Sequence, residues 1–209
     1  MTERRGRFIT FEGPDGSGKT TQMRLLAERL RAQGRRLVET QEPGGTGIGL
    51  QIRRLLLDRE SSTLCPVAEM LLYFAARAQN FDEIILPAWK DGAVVLSDRF
   101  TDSTLAYQGA GRGLDEGTVL QLHDIACHGL QPDLTVVIDV DQETGSLRCR
   151  ERGRSDRIEA QEPAFHNRVR EAYLGLARKH PARMRVVDGC GPISEVAERV
   201  YAHVREVLP

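Results

Sequence analysis

The sequence predicts an α/β fold: a parallel sheet of five short strands with helices on both faces. Three observations lead there. Short, continuous apolar runs alternate along the chain with longer segments of helical periodicity, the pattern of repeated β-α-β crossovers. The run Gly13-Pro14-Asp15-Gly16-Ser17-Gly18-Lys19-Thr20 falls between the first strand and the first helix and fits G-x-x-x-x-G-K-[ST], the phosphate-binding P-loop. Charged residues follow directly after strands, at the sheet end where such folds hold ligands.

The elements follow in order. Residues 7–11 read as the first strand, and residues 21–32 as a helix with Met23, Leu25, Leu26 and Leu30 apolar. Residues 36–40 form the second strand, and Gln41-Glu42-Pro43-Gly44-Gly45-Thr46 a loop, because Pro-Gly-Gly continues neither element. A helix spans about 49–57, with Ile52, Leu55 and Leu56 on one side. A longer one starts near Pro66, a residue suited to a first helical position, and carries Met70, Leu71, Phe74 and Ala75. Residues 93–97 are a buried strand, 115–127 a helix and 134–139 another buried strand. A polar, Arg-rich stretch over 148–159 precedes a helix over 163–179, a last strand over 184–187 and a last helix over 193–207. Crossovers in such a sheet are right-handed.

A chain of 209 residues suffices for one domain with a full core, and residues 1–209 are read as one. The net charge of −1 argues against a general nucleic-acid coat and against an acidic tail. Cys65, Cys127, Cys149 and Cys190 show no C-x-x-C spacing, so neither a zinc site nor a redox motif is indicated. Each is expected to be a small buried hydrophobe with a free thiol. The start Met1-Thr2-Glu3-Arg4-Arg5 has no hydrophobic signal region, and no apolar run is long enough to span a membrane. A cytoplasmic protein is the expectation. His123, His128, His166, His180 and His203 show no motif spacing.

The chemistry concentrates at a few places. A Gly-rich turn entering a helix presents backbone N–H groups and the positive end of the helix dipole to an anion. Gly13, Gly16 and Gly18 allow close approach, with Pro14, Asp15, Ser17 and Thr21 completing the loop. Lys19 can reach the β- and γ-phosphates, and the Thr20 hydroxyl can join a Mg²⁺ shell. Asp98 follows the third strand, where a carboxylate can hold Mg²⁺ across from Thr20, directly or through water. Arg99 beside it can clamp a phosphate with its planar fork. The plain alternative is an ion pair between surface neighbours. Asp139 competes for the Mg²⁺ role, although Asp141 and Glu143 beside it mark a solvated helix entry.

The stretch from Arg148 to Arg157 holds five arginines in ten residues: Arg148, Arg150, Arg152, Arg154 and Arg157. On a mobile segment with a break at Gly153, they can close over the charge that develops in phosphoryl transfer. The alternatives are a solvated basic face or an RNA-contacting patch. Tyr73 and Arg77 lie four apart on the long helix and can stack on a base and bond its edge, or Tyr73 can be core.

Taken together, Phe11-Glu12-Gly13-Pro14-Asp15-Gly16-Ser17-Gly18-Lys19-Thr20-Thr21-Gln22, Glu42-Pro43-Gly44-Gly45-Thr46, Asp98-Arg99-Phe100 with Ala106-Tyr107-Gln108-Gly109, and Asp156-Arg157-Ile158-Glu159 resemble the thymidylate kinase family. The resemblance runs over about 7–208. It implies the P-loop NTPase fold of the nucleoside-monophosphate-kinase type, with an Arg-rich lid over about 148–159. It further implies transfer of the ATP γ-phosphate to dTMP with Mg²⁺, giving dTDP and ADP for dTTP biosynthesis. A homodimer is implied, with no nucleic-acid or membrane partner.

By position, the resemblance gives Asp15 the deoxyribose 3′-OH, Arg99 the dTMP phosphate and Arg77 the base edge. Tyr73 takes the place where Phe usually stacks on thymine, and Tyr107 the ring near the sugar 2′ carbon. Thr104, Gln108 and Glu42 complete the substrate set. Family members supply their catalytic arginine either from the P-loop, right after the carboxylate, or from the lid. Gly16 stands at the P-loop position here, so the chain resembles the lid type. Arg152, then Arg150 and Arg157, join Lys19 and Arg99 as catalytic candidates. Two residues depart from the pattern: Gln41, where an Arg often precedes Glu-Pro-Gly-Gly-Thr, and Tyr73, whose hydroxyl needs a partner. The rival readings are another nucleoside monophosphate kinase and a P-loop ATPase switch without a small acceptor. A guanine-specific switch should carry [NT]-K-x-D, and the sequence has none.

Overall fold

A computed structural model describes residues 5–153 and 155–208. Met1, Thr2, Glu3 and Arg4, the start read above for a signal region, and Arg154 of the Arg-rich stretch lie outside the described residues. Strands β1 (Arg7–Glu12), β2 (Leu37–Gln41), β3 (Val94–Asp98), β4 (Leu134–Asp139) and β5 (Met184–Asp188) form one parallel sheet in the order β2-β3-β1-β4-β5. The expected sheet is therefore present, with several strands running one residue further toward the site.

Both sheet faces are covered. Ile9 and Phe11 of β1 and Val136 and Ile138 of β4 pack on Met23, Leu26 and Leu30 of α1 (Lys19–Ala32) and on Val196, Val200 and Val204 of the C-terminal helix (Ile193–Val207). On the opposite face, Phe8 and Val95 pack on Phe81, Ile85 and Phe100. Val137 and Met184 there meet Phe74, Phe165, Val169 and Tyr173. The two-residue alternation along β1 thus feeds two core layers from one strand.

Helix starts follow their caps. α2 (Gly47–Leu57) begins two residues before the expected position because the Thr46 hydroxyl accepts from the Gly49 amide at 2.9 Å. α3 (Pro66–Asn80) opens on its proline and continues through a π-helical turn, Phe81–Ile85, into α4 (Leu86–Lys90). α5 (Thr101–Thr104) and the π-helical turn after it, Leu105–Gly111, have no counterpart in the sequence reading. α6 (Glu116–Cys127) matches expectation.

The Arg-rich stretch is corrected. α7 (Gln142–Glu151) is capped by Asp141, which accepts from the Thr144 amide at 2.8 Å, and it absorbs Arg148 and Arg150 into its last turn. Cations there face the negative end of the helix dipole, which favours them. α8 (Pro163–Lys179) and α9 (Ile193–Val207) match their expected spans. The cysteines also divide: Cys127 is buried, but Cys65 and Cys190 are exposed. Cys65 stands just before α3 without a side-chain capping bond and Cys190 lies in the loop after β5, both at ends where the chain turns through solvent.

Two glycines fix how the P-loop sits. Gly13 has φ +134°, and a Cβ there would lie 2.2 Å from the Ile138 carbonyl oxygen at the end of β4. Gly16 has φ +76°, and its Cβ would lie 2.2 Å from the carbonyl oxygen of Gly145 on α7. The loop is squeezed between the sheet end and the helix that carries the arginines. We expect Gly13→Ala to cost at least about 2 kcal/mol, or roughly 4–8 °C of Tm by thermal unfolding. An unchanged Tm would refute the close approach.

Candidate active site

A cavity of about 580 Å³ opens at the carboxyl ends of β1, β2 and β3. Its lining brings together Asp15, Gly16, Gly18, Lys19, Thr20 and Thr21 from the P-loop, Glu42 after β2, and Asp98 and Arg99 at the end of β3. Tyr73 and Arg77 of α3, Thr104, Tyr107, Gln108 and Arg152 complete the predicted set that meets there. Gly13, Pro14 and Ser17 form the turn behind them, where the Ser17 amide donates to the Pro14 carbonyl. Two expected residues stand apart. Arg150 is exposed and faces a second cavity, of about 430 Å³, behind the P-loop. Arg157 is buried away from the lining, its Nε donating to the Leu56 carbonyl at 2.9 Å.

The P-loop half suits an anion. Gly18 takes the N-cap of α1 in a left-handed conformation with no side-chain cap, which leaves the first helical amides to a ligand. Lys19 is buried and donates to the Pro14 carbonyl at 2.9 Å. Burial, and next the Arg99 guanidinium, push its ammonium down to about 8. The Thr20 hydroxyl donates to Asp98 Oδ2 at 2.5 Å. These two oxygens fit a hard cation that keeps water and phosphate oxygens as its other ligands. Among the described residues no cluster of three His, Cys, Asp or Glu could hold a metal by itself. Asp139 is committed elsewhere, accepting two bonds from Arg170 at 2.7 and 2.8 Å.

Arg99 links the two halves. It is a non-glycine residue at φ +74°. Its Nη2 donates to Asp15 Oδ1 at 2.6 Å and to the Tyr107 hydroxyl at 3.0 Å, and its Nη1 to Ser103 Oγ at 3.1 Å and the Tyr173 hydroxyl at 3.2 Å. Burial by itself would raise the Asp15 carboxyl, but Arg99, Lys19 and the Tyr107 hydroxyl hold it below its ordinary value. Behind Arg99 lies Glu12, which accepts from the Phe100 amide at 2.7 Å, from Ser103 Oγ at 2.5 Å and from the Tyr173 hydroxyl at 2.9 Å. Burial, then repulsion from Asp102, pushes the Glu12 carboxyl up to about 7.

Two buried side chains of the cavity lining, Arg77 and Thr104, carry unsatisfied atoms. Arg77 is 1 % exposed. Its Nε donates to Glu42 Oε2 at 2.6 Å and its Nη2 to the Phe100 carbonyl at 3.0 Å, while Nη1 has no partner. Thr104 Oγ1 also lacks one. A buried donor and a buried hydroxyl left open beside a cavity are a demand for a polar ligand edge. Glu42 holds Arg77 and is itself held by Asn80, whose Nδ2 donates to Glu42 Oε1 at 3.1 Å. Tyr73 is half-buried along the cavity wall, so it is not simply core.

On the far wall, Arg152 donates to Glu159 Oε1 at 2.7 Å and to Cys149 Sγ at 3.0 Å. The sequence singles out Arg148 only as one of the Arg-rich stretch, and it lines the cavity; it assigns no role to Glu12, Ser103 and Tyr173, or to Arg53, which also lines the cavity. Glu12 had a signal: it ends a strand with no solvent face, so its carboxylate needs partners. Arg53 shares a helix face with buried Gly49 and Leu56, a spacing visible in the sequence.

A sequence profile of the thymidylate kinase family matches residues 11–200. The thymidylate kinase of Pelobacter propionicus is 50% identical over 205 residues, covering 95% of this chain and 94% of that protein. The thymidylate kinase of Thermomicrobium roseum is 52% identical over 202 residues, covering 96% and 95%. A crystal structure of thymidylate kinase from Ehrlichia chaffeensis superposes with a TM-score of 0.79 at 37% identity, covering 96% of this chain and 99% of that one.

Glu12 supplies a pH test. Its folded pKa of about 7 lies above the ordinary 4.5, so across that window the folded protein binds the proton more tightly than the unfolded chain. Glu12 therefore makes stability fall as pH rises from about 4.5 to about 7. Glu12→Gln keeps the shape and removes the titration. Chemical denaturation of both proteins across that range should give a flatter pH dependence for the variant; parallel curves would refute the shift.

Proposed function

The chain belongs to the thymidylate kinase family, and from that premise we propose that it transfers the γ-phosphate of ATP to dTMP, giving dTDP and ADP for dTTP synthesis. One observation carries the reading. The P-loop lysine and a buried, unsatisfied base-edge set, Arg77 Nη1 and Thr104 Oγ1, open into one cavity with Arg99 between them.

An anionic oxygen of the dTMP phosphate attacks the γ-phosphorus in line, and the bond from that phosphorus to the β-bridging oxygen breaks. The attacking oxygen is already deprotonated near neutral pH, so the chain needs no strong general base. Positioning and charge stabilisation do the catalysis. The amides of residues 13–20 cradle the donor phosphates, and Lys19 exchanges the Pro14 carbonyl for phosphate oxygens. Thr20 and Asp98 would hold Mg²⁺, which when bound neutralises charge on the donor phosphates. Arg99 clamps the acceptor phosphate. Asp15 and Tyr107 meet the sugar, Tyr73 stacks on the base, and Arg77, Thr104 and Gln108 bond its edge. Glu42 aims Arg77 rather than touching substrate.

Arg152 is the arginine we assign to the transferring group, as the predicted lid candidate that lines the cavity. Gly16 supports a lid source, since any side chain there would strike Gly145. Arg157 takes a structural role instead. We further propose a single kinase domain with a lid over about 148–159, acting in the cytoplasm as a homodimer without nucleic-acid or membrane partners. Among the described residues no helix is long and apolar enough to cross a membrane. Exposed Leu55 on α2, Val67 and Leu71 on α3 and Leu120 on α6 lie on successively packed helices and offer an apolar face to a second copy.

ADP release from ATP and Mg²⁺ should rise strongly with dTMP, less with dUMP, and little with UMP, CMP, AMP, GMP or no acceptor. Release indifferent to acceptor would sink the kinase reading. Lys19→Ala and Arg99→Ala should each lower kcat by at least about a hundredfold. Arg152→Ala should lower kcat more than it raises KM for dTMP, the pattern of a transition-state contact. The reverse split would make Arg152 a binding residue.

A further inference from the structure

Glu69 of α3 is fully buried and has no part in the mechanism above. Its Oε1 accepts from Gln108 Nε2 at 2.9 Å and from Arg112 Nε at 3.1 Å. Its Oε2 accepts from Arg112 Nη2 at 3.1 Å and pairs with Arg157 Nη1 at 2.7 Å. Gln161 closes the ring: its Oε1 accepts from Arg112 Nη1 at 2.7 Å, and its Nε2 donates to the Arg157 carbonyl at 3.1 Å. The Arg157 amide also donates to the Leu57 carbonyl at 3.1 Å. One carboxylate thus gathers a cavity-lining glutamine and the anchor of the segment that returns from the arginine-rich stretch.

The placement on α3 adds to this. Glu69, Tyr73 and Arg77 are spaced by four, so a single helical stripe carries the ring's centre and both base-end residues. On the other side, Arg157 is followed by Ile158 and Glu159, which line the cavity, and Glu159 holds Arg152. We propose that Glu69 is a positioning residue that couples the acceptor-base end of the cavity, through Gln108, to the arginine-bearing lid wall, through Arg157. Two guanidiniums converge on this one carboxylate. Removing its charge leaves them without a matching acceptor in a buried place and loosens both connections together.

The identity of the acceptor rests on the function proposed above, and the test separates the two. Full-length wild type, Glu69→Gln and Arg157→Lys are compared. Arg157→Lys keeps a cation for Glu69 but loses the fork that also reaches Leu56, which covers the case of a Glu69→Gln that does not fold. Trypsin cleavage within residues 148–157 is followed with and without dTMP, alongside KM for dTMP and for ATP and the Tm of each protein. In the wild type dTMP should slow that cleavage. In the variants the protection should be lost and KM for dTMP should rise roughly tenfold, with KM for ATP changed far less. A merely structural loss would shift both KM values and Tm together, and would overturn the coupling. Folded variants that keep wild-type protection and KM would overturn it too. A wild type that does not respond to dTMP at all would overturn the functional reading and this inference with it.

Discussion

Arg99 adopts a left-handed backbone that costs a non-glycine residue on the order of 1–2 kcal/mol, and the site depends on what holds it there. The Arg99 amide donates to the Phe11 carbonyl at 2.9 Å, the next amide, of Phe100, to Glu12, and Ser97 Oγ to the Arg99 carbonyl at 2.7 Å. The chain turns sharply out of β3 and delivers the guanidinium across the P-loop onto Asp15. Glu12 immediately precedes Gly13, so one strand end governs both the P-loop and Arg99. The parallel register that sets Phe11 beside Asp98 keeps them aligned. An error of one residue in that register would turn the side chains of a strand to the wrong face and separate the two halves.

Three cations of the cavity lining are occupied by weak acceptors. Lys19 holds the Pro14 carbonyl, Arg53 the Pro43 carbonyl, and Arg148 leans on the Gly16 and Gly189 carbonyls. Phosphate oxygens are stronger acceptors than peptide carbonyls, and charge-assisted bonds are roughly twice as strong as neutral ones. In the function proposed above, each of these cations can turn to a phosphate by exchanging its carbonyl partner, which keeps reorganisation small. The Lys19 ammonium, pushed down to about 8 by burial and by Arg99, regains its charge preference when anionic oxygens replace its neutral acceptor.

Legibility in the sequence follows from where the stabilising partner lies. The strands were readable because central parallel strands are apolar on both faces, and the P-loop because its function demands a local pattern. α5 was not: Thr101, Asp102, Ser103 and Thr104 offer no apolar stripe. Two of these side chains are satisfied by distant groups, Thr101 by His123 at 2.8 Å and Asp102 by Arg183 at 2.7 and 2.9 Å. α7 was hidden because it buries little beyond Gly145 and so shows no apolar stripe. Arg152 and Arg157 look alike in sequence, but Glu69 on α3 and the Leu56 carbonyl hold Arg157 buried while Arg152 lines the cavity.

The choice of cation tells the same story. Of 29 basic residues only Lys19, Lys90 and Lys179 are lysines. An arginine fork has fixed directions and satisfies two acceptors at once, so a buried carboxylate can aim it. Glu42 does this to Arg77, Asp102 to Arg183 and Glu69 to Arg112 and Arg157. Buried pairs of this kind add little net stability, because desolvation offsets their attraction. What they provide is direction, and recognising a base edge or a phosphate needs direction. Lys19 is the one lysine in the cavity. In the reaction proposed above, a compact charge on a flexible stem suits that place better, because it can follow the phosphoryl group as it passes from donor to acceptor oxygen.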